Sequence, residues 1–135
     1  MSISKVNEIV IYVEELQIAI DFYERIFEKK ITDTFEDRWA NLHGNGNLLF
    51  IINKSYDRKH GIPKTSHETN TIHGNTCVPV YLTDDIDSEH ERISKISDDV
   101  SEICYLNIIM PYRFFTFKDP EGNIIEIGQY PENKH

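Results

Sequence analysis

The sequence predicts an α+β chain made of two βαβββ modules that form a cupped mixed sheet with helices outside. Three observations carry that expectation. Residues 113–127 read as strand, tight turn, strand, with Asp119-Pro120-Glu121-Gly122-Asn123 supplying the turn. There Pro fixes one φ angle and Gly permits a positive one. A weaker copy lies earlier, where Gly46-Asn47-Leu48-Leu49-Phe50-Ile51 matches Gly122-Asn123-Ile124-Ile125-Glu126-Ile127. The halves also begin alike, since Val10-Ile11-Tyr12-Val13 matches Val80-Tyr81-Leu82-Thr83 and a helical pattern follows each. A repeat of this length is one supersecondary unit used twice.

The elements follow in order. Residues 6–13 alternate and are rich in β-branched side chains, which predicts a strand. Leu16, Ala19, Ile20, Tyr23 and Phe27 fall at helical spacing, so 16–27 is an amphipathic helix. Short strands are expected over 31–35, 39–43 and 48–53, with Gly44-Asn45-Gly46-Asn47 as a hairpin turn. The polar stretch 56–76 reads as a linker between halves, giving module 1 at about 4–54, a linker at about 55–76 and module 2 at about 77–130. Residues 77–83 form the next strand, and Asp87 is the expected N-cap of a helix running to about Ile96. The last strands are 103–110, 113–118 and 124–129, followed by a loose tail from Tyr130.

Strand alternation sorts the side chains. Ile9, Ile11, Val13, Ile125 and Ile127 should face the helices. Glu8, Val10, Tyr12, Trp39, Asn41, Phe114, Thr116, Ile124, Glu126 and Gly128 should face the cup. Glu126 is a lone carboxylate in an apolar strand, so it must face solvent, a cavity or a metal, the structural alternative being a hydrogen bond to Asn41, Thr116 or water. Trp39, Phe50, Phe114, Tyr12 and Tyr112 make an aromatic lining suited to a flat or hydrophobic small molecule, or a filled core. Arg38 and Arg113 precede the two hairpin arms and read as salt-bridge residues.

Composition narrows the function classes. The net charge of −9 over 135 residues argues against nucleic acid and anionic membranes, which need clustered cations. No apolar run is long enough to span a bilayer, and Met1-Ser2-Ile3-Ser4-Lys5 lacks signal-peptide character. Cys77 and Cys104 have no metal or redox spacing and read as buried thiols. A cytoplasmic protein is expected. His60, His67 and His73 lack ligand spacing. No phosphate loop or nucleophile triad is present at a recognisable spacing.

Three segments carry a family resemblance: Val6-Asn7-Glu8-Ile9-Val10-Ile11-Tyr12-Val13 leading into Phe22-Tyr23-Glu24-Arg25-Ile26-Phe27, the step Thr83-Asp84-Asp85-Ile86-Asp87, and Phe117-Lys118-Asp119-Pro120-Glu121-Gly122-Asn123-Ile124-Ile125-Glu126. In these the chain resembles the vicinal-oxygen-chelate superfamily, the glyoxalase, bleomycin-resistance and extradiol-dioxygenase group. The resemblance implies a divalent metal in the cup. Its ligands would come from the positions of Glu8, Phe50, Val78 and Glu126, of which only Glu8 and Glu126 can bind a metal. Two carboxylates without His make a poor site for Zn²⁺, Ni²⁺ or Fe²⁺. The favoured expectation is therefore a metal-independent small-molecule-binding protein. Its pocket would be lined by Glu8, Tyr12, Trp39, Asn41, Phe50, Val78, Tyr112, Phe114 and Thr116, with Glu126 as the acting group. The alternative is a glyoxalase-like or dioxygenase-like lyase, isomerase or oxygenase using Glu8 and Glu126. Short members of the group pair, so a homodimer is expected.

Overall fold

Alternating apolar residues put one face of each predicted sheet against a helix, and the computed structural model follows that pattern. It describes residues 8–42, 49–61, 78–108 and 110–131. The chain divides into two compact units, Met1–Thr71 and Ile72–His135.

The first unit runs β1 (Ile9–Val13), α1 (Leu16–Phe27), β2 (Thr34–Phe35), β3 (Trp39–Asn41), β4 (Leu49–Asn53) and α2 (Lys54–Lys59). Its sheet has the order β1-β4-β3-β2, with β1 parallel to β4 and the other pairs antiparallel. The second unit runs β5 (Val80–Leu82), α3 (Ile86–Ser94), β6 (Cys104–Asn107), β7 (Pro111–Lys118) and β8 (Ile124–Gln129). Its sheet has the order β5-β8-β7-β6, again with one parallel pair, β5 with β8. A parallel pair needs a crossover, and α1 or α3 supplies it.

Each helix packs on its own sheet, α1 against β4 and α3 against β7 and β8. The first core holds Ile11, Val13, Tyr23, Ile26, Ala40 and Ile51; the second holds Ile86, Ile93, Phe115, Phe117, Ile125 and Ile127. Each of the larger side chains contributes roughly 1.5–3 kcal/mol by leaving water. The turn between β7 and β8 is built by Asp119. Its Oδ1 accepts the N–H groups of Glu121 and Asn123, both at 2.9 Å, while Gly122 takes φ 91°. The earlier hairpin turn at 44–47 lies outside the described residues.

Several expectations need correction. The strand expected over 31–35 shortens to Thr34–Phe35, because the Ile31 N–H goes to Glu24 Oε2 at 2.8 Å and not to a sheet partner. The linker expected from residue 55 opens with a helix. Asn53 caps α2, its Oδ1 accepting the N–H groups of Ser55 and Tyr56. The N-cap of α3 is Asp85, which accepts the Ser88 N–H; Asp87 sits inside the first turn and pairs with Arg113. The helix also stops at Ser94, short of Ile96. Cys104 is exposed, not buried, because it lies on the sheet face away from α3. Cys77 lies outside the described residues. Ile9 is exposed at the start of its strand. Tyr130, placed in a loose tail, has its ring 4.8 Å from that of Tyr112. Both arginines form salt bridges as expected, with partners the sequence did not name: Arg38 with the buried Asp57 at 2.6 Å and Arg113 with the exposed Asp87 at 2.8 Å.

Candidate functional site

Cross-strand register decides which side chains share the face away from α3. Val80 lies opposite Glu126, and Thr116 lies opposite Glu126 from the other side. Leu82 and Phe114 likewise flank Gly128, and Cys104 and Leu106 lie opposite Phe114 and Tyr112. The face therefore carries Tyr112, Phe114 and Thr116 in a row on β7, with Glu126 and Gly128 beside them on β8. Tyr112, Phe114, Thr116 and Glu126 are all half-buried.

Glu126 is held by a phenol. Tyr112 Oη donates to Glu126 Oε2 at 2.7 Å. The reach depends on Gly128, since a Cβ there would overlap the Tyr112 phenol. Tyr112 crosses diagonally over the residue that has no side chain. Tyr112, and not Asn41 or Thr116, is thus the side chain that bonds Glu126 among the described residues. Burial pushes the Tyr112 phenol well above its ordinary value, and the hydrogen bond to Glu126 and its negative charge add to the effect. The phenol therefore stays protonated and remains a donor across the physiological range. The Tyr112 ring is stacked with that of Phe114 at 5.6 Å and tilted against that of Tyr130 at 4.8 Å.

The first unit fills the matching face differently. Tyr12 and Trp39 flank Ile52, while Val10 and Asn41 flank Phe50. Trp39 meets Phe50 edge to face at 5.2 Å and stacks on Phe35 at 6.3 Å. Asn41 is buried, and its amide donates to Asp33 Oδ2 at 3.1 Å, so it is tied within its own unit.

The structure thus gathers Tyr112, Phe114, Thr116 and Glu126 on one sheet and Tyr12, Trp39, Asn41 and Phe50 on the other. Glu8 precedes β1 and is exposed; Val78 precedes β5 and is exposed. Tyr130 and the role of Gly128 escaped the sequence reading. A glycine inside an otherwise apolar strand was the available signal, since it marks close approach of another group. A cleft of about 170 Å³ also opens at this end of the sheet, lined by Tyr105, Pro111, Tyr112, Arg113, Gln129, Tyr130 and Pro131.

The positions at which a metal was implied do not fit one. Phe50 and Val78 carry no donor atom, and one oxygen of Glu126 already accepts the Tyr112 hydroxyl. Among the described residues no cluster of three or more His, Cys, Asp or Glu could hold an ion. His60 stacks on Tyr56 and bonds its carbonyl through Nδ1, whereas His67 and His73 lie outside the described residues. No helix among the described residues is long and apolar enough to cross a membrane.

A family model described as Glyoxalase/Bleomycin resistance protein/Dioxygenase superfamily matches residues 5–127. A search of curated proteins finds no significant match. Among solved structures, a glyoxalase/bleomycin resistance protein/dioxygenase family enzyme from Burkholderia phytofirmans PsJN superposes with TM-score 0.70 at 12% identity, covering 94% of this chain and 99% of that one. A glyoxalase/bleomycin resistance protein/dioxygenase from Nocardioides gives 0.68 at 17% identity, covering 100% and 92%. A lactoylglutathione lyase from Agrobacterium tumefaciens gives 0.62 at 17% identity, covering 93% of each chain. At these identities the likeness shows the fold alone.

Proposed function

Because the chain belongs to the glyoxalase, bleomycin resistance protein and dioxygenase superfamily, we propose that it binds a small organic molecule on the aromatic face of β7 and β8, without a tightly held catalytic metal. The hydrogen bond from Tyr112 to Glu126 carries this reading. It fixes the carboxylate beside an aromatic row. Pockets for small molecules combine such apolar rings with a few fixed polar groups. The protein acts as a cytoplasmic homodimer in this reading. Val80 and Leu82, 54% and 66% exposed on an edge strand, favour pairing with a second copy.

Elemental analysis and titration with Ni²⁺, Zn²⁺ and Mn²⁺ test the metal-free part. Substoichiometric metal and weak binding are expected, whereas one tightly held ion per chain overturns it and favours the enzyme. A screen of aromatic fragments followed by NMR tests the site. Shifts at the Tyr112 and Phe114 rings are expected, and shifts only elsewhere overturn it. Light scattering should give twice the chain mass at micromolar concentration; a monomer mass rejects the dimer.

A further inference from the structure

The side of the second sheet that faces α3 holds an opening of its own. The cleft of about 170 Å³ has Tyr105, Pro111, Arg113, Gln129 and Pro131 in its walls. Tyr105 lies opposite Arg113 and Arg113 opposite Gln129, so one row of side chains crosses β6, β7 and β8. That row is on the α3 side. Arg113 bonds Asp87 in the first turn of the helix, and Gln129 Oε1 accepts the Ile86 N–H. Tyr112 and Tyr130 also border the cleft, but their rings meet each other on the side of Glu126. Phe114, Thr116 and Glu126 are not among its walls, so the cleft is a different place from the aromatic face.

The polar groups of the row divide into used and unused ones. Arg113 Nη1 and Nη2 donate to the two oxygens of Asp87 at 3.2 and 2.8 Å, which fixes the guanidinium. Its Nε–H has no hydrogen-bond partner among the described residues. Gln129 is used at both ends, since its Nε2 donates to the Asp84 carbonyl at 2.9 Å. Tyr105 is 62% exposed, and among the described residues it has neither a ring contact nor a hydroxyl bond. What remains for a ligand is a ring, a hydroxyl and a guanidinium donor, and a guanidinium cannot accept. Arg113 is also the only charged wall residue, and Asp87 neutralises it.

We propose that this cleft binds a single neutral ring carrying a carbonyl group, such as an aryl carboxamide. Size sets the first limit. A cavity of about 150 Å³ takes one benzene, so this cleft takes one ring with a small substituent. The ring packs against Tyr105 and the two prolines, and the carbonyl accepts the Arg113 Nε–H. Charge sets the second limit. A cation meets a guanidinium and no carboxylate in the walls. An anion meets a guanidinium already paired, on a chain whose net charge of −9 repels it. A neutral acceptor avoids both penalties and satisfies the unused donor. The inference goes beyond the reading of the aromatic face and does not depend on it.

Benzamide, benzoate and benzamidinium share one shape and differ in charge, so NMR titration of the whole chain with each tests the proposal. Benzamide should bind several times more tightly than either ion and should shift the Tyr105 ring and the Arg113 Nε–H. Tyr105→Ala should weaken benzamide about fivefold, as for the loss of one aromatic pair. Arg113→Lys keeps the charge but loses the Nε–H, and should also weaken it about fivefold. Asp87→Asn removes the neutralising charge and should bring benzoate to at least the affinity of benzamide. Tyr105 and Asp87 are both exposed, so their variants keep the fold. Benzamide that shifts the Phe114 ring but neither Tyr105 nor Arg113 overturns this proposal and leaves the aromatic face standing. Shifts at Tyr105 and Arg113 alone sustain it and sink the aromatic-face reading. Equal or tighter wild-type binding of either ion overturns the neutral class. Benzamide binding that neither Tyr105→Ala nor Arg113→Lys alters overturns the site.

Discussion

The two units use one module with one register and solve the same face in opposite ways. Phe50 and Glu126 hold equivalent positions, as do Ile52 and Gly128, and Trp39 and Phe114. In the first unit the apolar Phe50 needs no donor, and Trp39 closes on it edge to face. In the second a carboxylate requires a donor, and Tyr112 provides one by crossing the space that Gly128 leaves empty. Ile52 would block the same route in the first unit. The contrast extends to the ion pairs of the matched arginines. Arg38 meets Asp57, whose side chain is fully buried, whereas Arg113 meets Asp87 in solvent. One repeat has become a packed structural face, and its copy has kept polar atoms available.

The largest expected effect separates the two arginine pairs. Asp57→Ala leaves the mostly buried Arg38 guanidinium without its partner and should lower stability by about 3 kcal/mol. Asp87→Ala should leave the urea midpoint unchanged, because an exposed pair is screened. Equal losses in the two variants would break the contrast.

Gly128→Ala comes next. Alanine usually improves a strand relative to glycine by about 0.5–1 kcal/mol. Here the added Cβ must displace the Tyr112 ring, so a loss of roughly 1–3 kcal/mol is expected. Ile52→Gly in the first unit opens no such route and should act only as a cavity. A stabilised Gly128→Ala variant in thermal melts would show that the phenol moves aside freely.

Tyr112→Phe removes a hydrogen bond to a carboxylate while keeping the ring stack. A loss of about 1 kcal/mol is expected, at the low end for charged partners because the site is half open to water. An unchanged midpoint would mean that water replaces the phenol without loss.

The smallest effect is in alkaline pH. The Tyr112 phenol is raised above its ordinary value of 10.0 in the folded protein. Below pH about 10 both states hold the proton and the stabilisation is complete. As pH rises further, the unfolded chain releases its proton first, so stability falls until the folded phenol titrates. Ultraviolet titration of tyrosinate should show a late step that is lost in Tyr112→Phe and moves to lower pH in Glu126→Gln. Tyr81 is raised by burial as well, so one late step should survive in both variants.

The sequence by itself determined the repeat, the course of most strands and the sorting of their faces. It placed α1 at its observed bounds, because apolar residues at helical spacing are a local signal. It also marked Tyr112, Phe114, Thr116 and Glu126 as sharing a face, since a period of two needs only strand direction. The tertiary structure decided which of them touch. The bond from Tyr112 to Glu126 joins residues on two strands and depends on a third residue that has no side chain. No spacing along the chain encodes that triple, because it arises from pairing register and diagonal reach. The Arg38–Asp57 pair and the cap of α2 by Asn53 escaped for a related reason. A polar stretch reads as a loop until buried ionic and capping partners are brought to it, and those partners are assembled only when β3 and β4 pair.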